Sequence, residues 1–108
     1  MKKSEPDQDI SRTLADLDRL VHEPARLSIL AVLSVVESAD FVFLMRQTGL
    51  TSGNLSTHAS KLESAGYIEI KKEFVDKIPR TLIMLTSGGK EAFEAYRKNV
   101  LKALGKIK

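Results

Sequence analysis

The sequence contains no cysteine, which excludes disulfide bridges and thiolate metal sites. It also lacks an apolar run of the roughly 20 residues that a transmembrane helix needs, and the N-terminus MKKSEPDQDI is too polar for the core of a signal peptide. A chain of 108 residues has room for one domain with a modest core and little room for an elaborate active site. We therefore expect a single cytoplasmic domain that does not span a membrane.

Residues suited to catalysis or metal binding are scarce. The only two histidines are His22 and His58, and a metal site needs three or four convergent ligands. Gly88-Gly89 is not part of a G-x-x-x-x-G-K-S/T phosphate loop and is better explained as a helix entrance. No serine lies in a nucleophile-elbow motif, and acids such as Glu63 occupy surface positions. We expect a protein that is not an enzyme and that binds neither a metal nor a cofactor.

Charge is distributed unevenly along the chain. The net charge is +3, but residues 1–40 contain five Lys/Arg and eight Asp/Glu, whereas residues 41–108 contain twelve and six. Positive charge is thus concentrated in the second part of the chain, as expected for a surface that binds a polyanion. A dispersed surplus of lysine on a solubilising surface is the alternative explanation.

The chain is organised around residues 49–73. Thr51 is a good N-cap, and Gly66 can take the left-handed conformation of a Schellman stop, so a helix is predicted over residues 52–65. Its narrow apolar face consists of Leu55, Ala59 and Leu62. We interpret this segment as a recognition helix.

The opposite face of this helix is small, polar and almost free of acids. It carries Ser52, Gly53, Asn54, Ser56, Thr57, Ser60 and Lys61. Short Ser, Thr and Asn side chains suit a helix that lies deep in a major groove, where they reach phosphates and base edges without clashing. The alternative is an ordinary capped surface helix, although such a helix usually mixes Glu and Lys.

The elements before the recognition helix complete a helix-turn-helix. Apolar residues cover most of the segment HEPARLSILAVLSVVE, which predicts a buried core helix with Pro24 in its first turn. Asp40 and Phe41 are expected to form a brief edge strand. A short helix over residues 42–48 and a turn at Gly49 then lead into the recognition helix.

A wing follows the recognition helix. After Gly66 the apolar period drops to two, which predicts strands over residues 67–71 and 81–85. The connector KKEFVDKIPR is too long and too polar for a tight two-residue turn, so we expect a basic loop that holds Lys71, Lys72, Lys77 and Arg80. Such a loop can contact the DNA backbone or the minor groove, whereas alone it would be only a charged hairpin tip.

Both ends of the chain carry apolar stripes. Residues 1–9 are interpreted as a frayed tail, and helices are predicted from residue 10 onward and over residues 87–104, the latter capped by Thr86. The stripes consist of Ile10, Leu14, Leu17 and Val21 on the first helix and Phe93, Tyr96, Val100, Ala103 and Ile107 on the last. Because this is more apolar surface than a small core needs, we predict a homodimer through both helices. The alternative is that both stripes cover their own core.

Three segments resemble bacterial and archaeal regulators of the ArsR and MarR types. EPARLSILAVL resembles their opening core helix, TGLTSGNLSTHASKLESAGYIEIKKE the segment from the helix-turn-helix into the first wing strand, and RTLIMLTSGGKEAFE the second wing strand and following helix. The resemblance covers residues 20–94. It implies a winged helix-turn-helix over residues 10–108, mainly α with a small antiparallel β-hairpin (α+β), a wing over residues 67–85, and dimerisation helices at both ends.

The resemblance also implies a function. A homodimer would place two recognition helices in successive major grooves of a pseudo-palindromic operator in double-stranded DNA. Carried over by position, the DNA contacts are Ser52, Gly53, Asn54, Ser56, Thr57 and Lys61 on the helix, Lys77 and Arg80 in the wing, and Arg26 and Arg46 toward phosphates. The expected role is a sequence-specific regulator, most simply a repressor.

Two other functions stay open. The fold can also serve as a protein-interaction module without sequence-specific DNA binding, which would show aromatic or aliphatic anchors on the recognition face. A regulator with a ligand crevice at the dimer, lined by Leu17, Phe93 and Tyr96, is the third possibility. The sequence lacks the cysteine pairs of many metal-sensing ArsR-type proteins and is shorter at its termini than typical MarR-type chains, so the effector is unknown.

Overall fold

The computed structural model describes residues 6–107, which form five helices and a three-stranded antiparallel sheet. The elements are α1 (Pro6–Ala15), α2 (Pro24–Val36), β1 (Ser38–Asp40), α3 (Phe41–Thr48), α4 (Ser52–Ser64), β2 (Ile68–Val75), β3 (Ile78–Leu85) and α5 (Ser87–Leu104). The strand order is β1-β3-β2, so that Ile83 pairs with Ala39 on one side and Ile70 on the other. The predicted α+β winged helix-turn-helix fold is confirmed.

The core lies between α2, the sheet and the inner face of α4. Ile29 and Leu33 of α2, Leu55 and Leu62 of α4, and Ile83 of β3 are all fully buried there. The expectation that α2 is buried on most sides is wrong for its last turn, because Val35 is 81% exposed. Helix α2 packs on α3, α4, α5 and the sheet, and the side that carries Val35 faces solvent.

Local caps set the ends of the helix-turn-helix. The Asp40 carboxylate accepts from the Phe43 N–H at 2.8 Å at the start of α3, and the Thr51 hydroxyl accepts from the Asn54 N–H at 3.2 Å at the start of α4. Gly66 has φ 81°, and the Tyr67 N–H donates to the Leu62 carbonyl at 3.0 Å, which is the predicted Schellman stop. The helix ends at Ser64, one residue before the predicted end.

The N-terminal helix differs from its prediction at both ends. It begins at Pro6, so residues 6–9 are helical rather than a frayed tail, while residues 1–5 lie outside the described residues. It ends at Ala15, although the apolar spacing predicted a helix through Val21. Asp18 explains this end, because its carboxylate accepts from the backbone N–H groups of Leu20 and Val21 at 2.9 and 3.3 Å and so stabilises a turn instead of a helix.

The wing is a tighter hairpin than predicted. Its strands extend to Val75 and restart at Ile78, so only Asp76 and Lys77 form the turn, both at positive φ. A two-residue turn with two positive φ values matches the right-handed twist of the strands. The prediction of a long polar loop is therefore wrong, because the connector residues continue an exposed two-stranded ribbon.

The terminal helices extend the molecule. Helix α1 packs against α5, and the chain measures 68 × 25 × 21 Å, with a radius of gyration of 16.8 Å where about 13 Å is typical of this length. None of the helices within residues 6–107 combines the length and apolarity that crossing a bilayer requires.

Candidate nucleic-acid interface

The polar face of α4 is fully accessible. Ser52, Gly53, Asn54, Ser56, Thr57, Ser60 and Lys61 are all exposed. The opposite face holds the helix in place, since Leu55, Ala59 and Leu62 are buried. An exposed row of short donors and acceptors on a firmly packed helix can approach base edges closely.

A groove of 390 Å³ separates α4 from the wing. Ser56 and Ser60 line it from the helix, and Lys72 and Thr81 line it from the paired strands. Glu63 also borders the groove, but its carboxylate accepts from the Ile70 N–H at 3.2 Å, which ties it to the base of the wing. The groove therefore has an apolar floor that includes Phe41 and Ile70, and its rim carries three hydroxyls, one lysine and the tied Glu63. The hydroxyls and the lysine are groups that contact a phosphate backbone.

The two faces of the wing differ in character. Because side chains alternate along a strand, Lys72 shares a face with buried Ile68, whereas Lys71 points the other way. Arg80 lies on the face opposite the groove, with its Nε 3.9 Å from the Glu73 carboxylate. The predicted contact Arg80 is thus paired with an acid and turned away from α4, while exposed Lys77 occupies the turn.

The sequence interpretation misplaced two wing residues. Lys72 and Phe74 were assigned to a loop, but extending the period of two from Ile68 and Ile70 would have placed both on the α4 side of the sheet. Phe74 is 74% exposed and lies opposite Pro79. An exposed aromatic side chain near the tip of the wing is a further contact group.

The two arginines predicted to touch phosphates have different surroundings. Arg46 is exposed in the last turn of α3, free to contact a backbone. Arg26 is partly buried and engaged within the protein: its Nε donates to the Leu20 carbonyl oxygen at 2.6 Å and its Nη1 donates to Nδ1 of His58 at 3.0 Å. Arg26 therefore contacts the recognition helix directly.

Glu23 completes this cluster at the start of α2. It caps the helix by accepting from the Arg26 N–H at 2.7 Å, and its Oε1 lies 3.8 Å from Nδ1 of His58. Burial acts to raise the pKa of Glu23, but the hydrogen bond from the Arg26 backbone, the imidazolium form of His58 and the charge of Arg26 outweigh it, so the pKa lies below its ordinary value.

Residues 16–23 connect the terminal helices to the recognition helix. The Tyr67 hydroxyl, just after α4, donates to Asp18 at 2.7 Å, and this hydrogen bond, with burial and the charge of Asp18, raises the pKa of Tyr67. His22 Nδ1 lies 2.7 Å from the Tyr96 hydroxyl of α5. The segment is thus hydrogen-bonded both to the residue that follows the end of α4 closely, Tyr67, and to Tyr96 of α5.

The predicted dimer stripes are mostly turned inward. Leu17, Val21, Tyr96 and Ala103 are buried within their own protomer, and Ile10, Phe93 and Val100 are half-buried. The alternative that these residues cover their own core therefore holds for the first four. Exposed apolar side chains remain at Leu14, Leu101, Leu104 and Ile107, with 39%, 55%, 51% and 56% exposure.

The described part of the chain contains no group of three His, Asp or Glu residues placed to hold a metal ion. The sequence model of the winged helix DNA-binding domain family matches residues 25–104, so the chain belongs to this family. It is 34% identical over 84 residues to an uncharacterised protein of Methanocaldococcus jannaschii, covering 78% of this chain and 91% of the relative.

Solved structures share this fold. A transcriptional regulator homologue from Pyrococcus horikoshii OT3 superposes with a TM-score of 0.79 at 25% identity, covering 94% of this chain and 96% of that one. A mutant MarR from E. coli in complex with operator DNA gives a TM-score of 0.66 at 22% identity, covering 92% and 71% of the two chains. The chain thus has the fold of MarR-family transcriptional regulators.

Proposed function

We propose that this protein is a sequence-specific DNA-binding regulator that inserts α4 into a major groove. The observation that carries the proposal is the exposed, acid-poor face of α4 beside a groove bordered by Lys72. Membership of a winged helix DNA-binding family supports the same partner. Ser52, Gly53, Asn54, Ser56, Thr57 and Lys61 form the helix contacts, with Lys72, Lys77 and Arg46 toward phosphates.

We further propose that the regulator is a homodimer on a pseudo-palindromic operator, acting as a repressor by occluding a promoter. Leu14, Leu101, Leu104 and Ile107, in or next to the terminal helices, are apolar side chains left exposed, and the proposed interface consists of them. Pairing two copies through this surface would remove it from water and present two recognition helices to one duplex.

Selection from a pool of random duplexes, followed by sequencing, tests the proposal. Enrichment of an inverted repeat with half-sites about one helical turn apart is the expected result. Weak, unselective binding that modest salt abolishes would refute sequence-specific recognition. Such binding would show that the positive charge only attracts polyanions in general.

Replacing Asn54 or Thr57 with alanine should lower discrimination between the selected operator and random DNA. Loss of a base contact costs about 1–3 kcal/mol, or about tenfold to 100-fold in the affinity ratio. Ser64→Ala, at the exposed far end of the same helix, is the matched control and should leave the ratio unchanged. Equal losses on operator and random DNA would exclude base recognition by these two residues.

Lys72→Ala should weaken binding to all duplexes and lower the salt dependence. Each phosphate contact contributes about 0.9 to the slope of log affinity against log salt, so a dimer should lose about 2. Lys71→Ala removes the same charge from the neighbouring position on the opposite face of the wing and should change the slope less. Equal slopes for the two variants would remove Lys72 from the interface.

A protein-interaction module is the second candidate, and the wing tip favours it. Phe74 and Ile78, on opposite faces of the wing, are 74% and 66% exposed, and Val42 of α3, which shares a pocket with Ile78, is 54% exposed. They supply the apolar anchors that such a module needs. If random-duplex selection yields no motif, a partner that loses affinity for a Phe74→Ser variant would support this function instead.

A further inference from the structure

Arg26 joins the N-terminal part of the protein to the middle of the recognition helix. It lies in the first turn of α2, and its guanidinium donates to the Leu20 carbonyl oxygen at 2.6 Å and to Nδ1 of His58 at 3.0 Å. His58 belongs to α4, on the side that meets α2, with 20% of its side chain exposed. The guanidinium is therefore a bridge between two elements that are 32 residues apart in sequence.

This bridge requires one protonation state of His58. A guanidinium has only donors, so Nδ1 of His58 must accept, and the ring is neutral with its proton on Nε2. A doubly protonated ring would turn an N–H toward the arginine cation. Glu23 lies 3.8 Å from the same Nδ1 and would become the favourable partner. Proton uptake thus exchanges Arg26 for Glu23 as the neighbour that stabilises His58.

A pocket at the start of α2 borders this cluster. Besides Glu23 and His58, the pocket at this position is lined by Pro24, Ala25, Ser28, Thr48, Leu50 and Asn54, all uncharged. Asn54 is one turn before His58 and belongs to the proposed base-reading face. A change in the hydrogen bonding of His58 therefore occurs one helical turn from a residue proposed to contact bases.

We propose that Arg26 is a positioning residue that sets the orientation of the recognition helix through neutral His58, and that protonation of His58 transfers this contact from Arg26 to Glu23 and lowers operator discrimination. The proposal rests on the DNA-binding function proposed above. It assigns to Arg26 a role inside the protein in place of the phosphate contact predicted from sequence.

The test measures the ratio of operator to random-duplex affinity at about pH 8 and about pH 5.5, because the ratio cancels the general gain in attraction when a protein becomes more positive. For the unaltered protein, this affinity ratio should fall about tenfold at the lower pH. A tenfold change corresponds to the free energy of about one hydrogen bond to a charged group. His58→Gln keeps an acceptor for Arg26 at both pH values, so its ratio should stay high and flat. His22→Gln changes the other histidine and should retain the pH dependence.

Arginine variants separate positioning from phosphate contact. Arg26→Lys keeps the charge but loses the planar fork, so under the proposal it should lower the ratio as Arg26→Ala does, with an unchanged salt slope. Full activity of Arg26→Lys, or a reduced slope for Arg26→Ala, would overturn the proposal in favour of a phosphate contact. Circular dichroism of each variant verifies that it is folded.

A measurement without DNA distinguishes the two levels of failure. In the free protein at about pH 8, ¹⁵N NMR of the His58 ring should show the proton on Nε2, and a proton on Nδ1 would overturn the positioning role. If the unaltered protein binds no duplex at either pH, the proposed function fails, and the positioning role fails with it. Specific binding with a ratio that does not change with pH refutes the positioning role alone.

Discussion

Gly89→Ala should destabilise the fold by about 3 kcal/mol, although alanine is the better helix former. Gly89 is buried in the first turn of α5, and an added Cβ would lie 2.8 Å from the carbonyl carbon of Tyr67, closer still to its oxygen, and 2.9 Å from Leu85 Cδ1. Backbone atoms cannot move aside as a flexible side chain can. The start of α5 would have to separate from the base of the wing.

The junction around Gly89 explains why this separation would be costly. The Thr86 hydroxyl accepts from the Gly89 N–H at 3.0 Å and donates to the Gly66 carbonyl at 2.6 Å, while the Thr86 N–H donates to the Tyr67 carbonyl at 3.1 Å. These bonds join the end of α4, the start of the wing and the start of α5. Pushing Tyr67 away from Gly89 strains all three.

Gly88→Ala is the matched control for this prediction. Its added Cβ would meet the Gly66 carbonyl oxygen at 3.4 Å, an ordinary contact, so the stability should stay within about 0.5 kcal/mol. Urea denaturation of both variants measures the difference. Similar free energies of unfolding for the two variants would show that the contact between Gly89 and Tyr67 can widen without destabilising the fold.

The helix-turn-helix could be predicted from sequence because its boundaries are local. Thr51 caps α4 through a contact within three residues, and Gly66 stops it through its own positive φ. The start of α3 was predicted one residue too late, because Phe41, expected in an edge strand, is its first residue after the Asp40 cap. The first helix could not be delimited in this way. Asp18 ends it by a turn that is completed by Tyr67, 49 residues further along the chain.

The wing and its contacts were predicted only in part. Polar residues on an exposed ribbon give no apolar alternation, and the turn at Asp76 and Lys77 lacks the glycine that usually marks positive φ. The contacts of Arg26 could not be predicted either, because the sequence pattern is the same for an arginine that faces solvent and for one that is hydrogen-bonded to His58. Side-chain direction on a helix depends on which elements dock against it.

The terminal helices show the same limit. The heptad-like spacing of α5 correctly found a stripe of apolar residues, yet Tyr96 and Ala103 of that stripe are buried in their own protomer. Helices α1 and α2 pack against this face of α5 and cover it, whereas Leu101 and Leu104 lie outside the covered face. A substitution that tests dimerisation must therefore use the exposed residues, because Glu at half-buried Val100 would also disturb the core.

Leu104→Glu should convert the proposed dimer to a monomer and weaken operator binding by about 100-fold or more. Leu104 is 51% exposed, so a charge there costs the protomer little, whereas at the centre of an apolar interface it would be buried without a partner. A monomer also loses the gain from linking two half-site contacts, which commonly amounts to a factor of about 100 to 10,000.

Val35→Glu supplies the control for dimerisation, because Val35 is an equally apolar side chain, 81% exposed, on the far side of α2. Analytical ultracentrifugation should find Val35→Glu dimeric and Leu104→Glu monomeric, and operator titration should rank their affinities in the same order. The reverse pattern would move the interface from the terminal helices to α2. If both variants stay dimeric, neither surface is the dimer interface. The second recognition helix would then be brought to the operator through a different contact between the two copies.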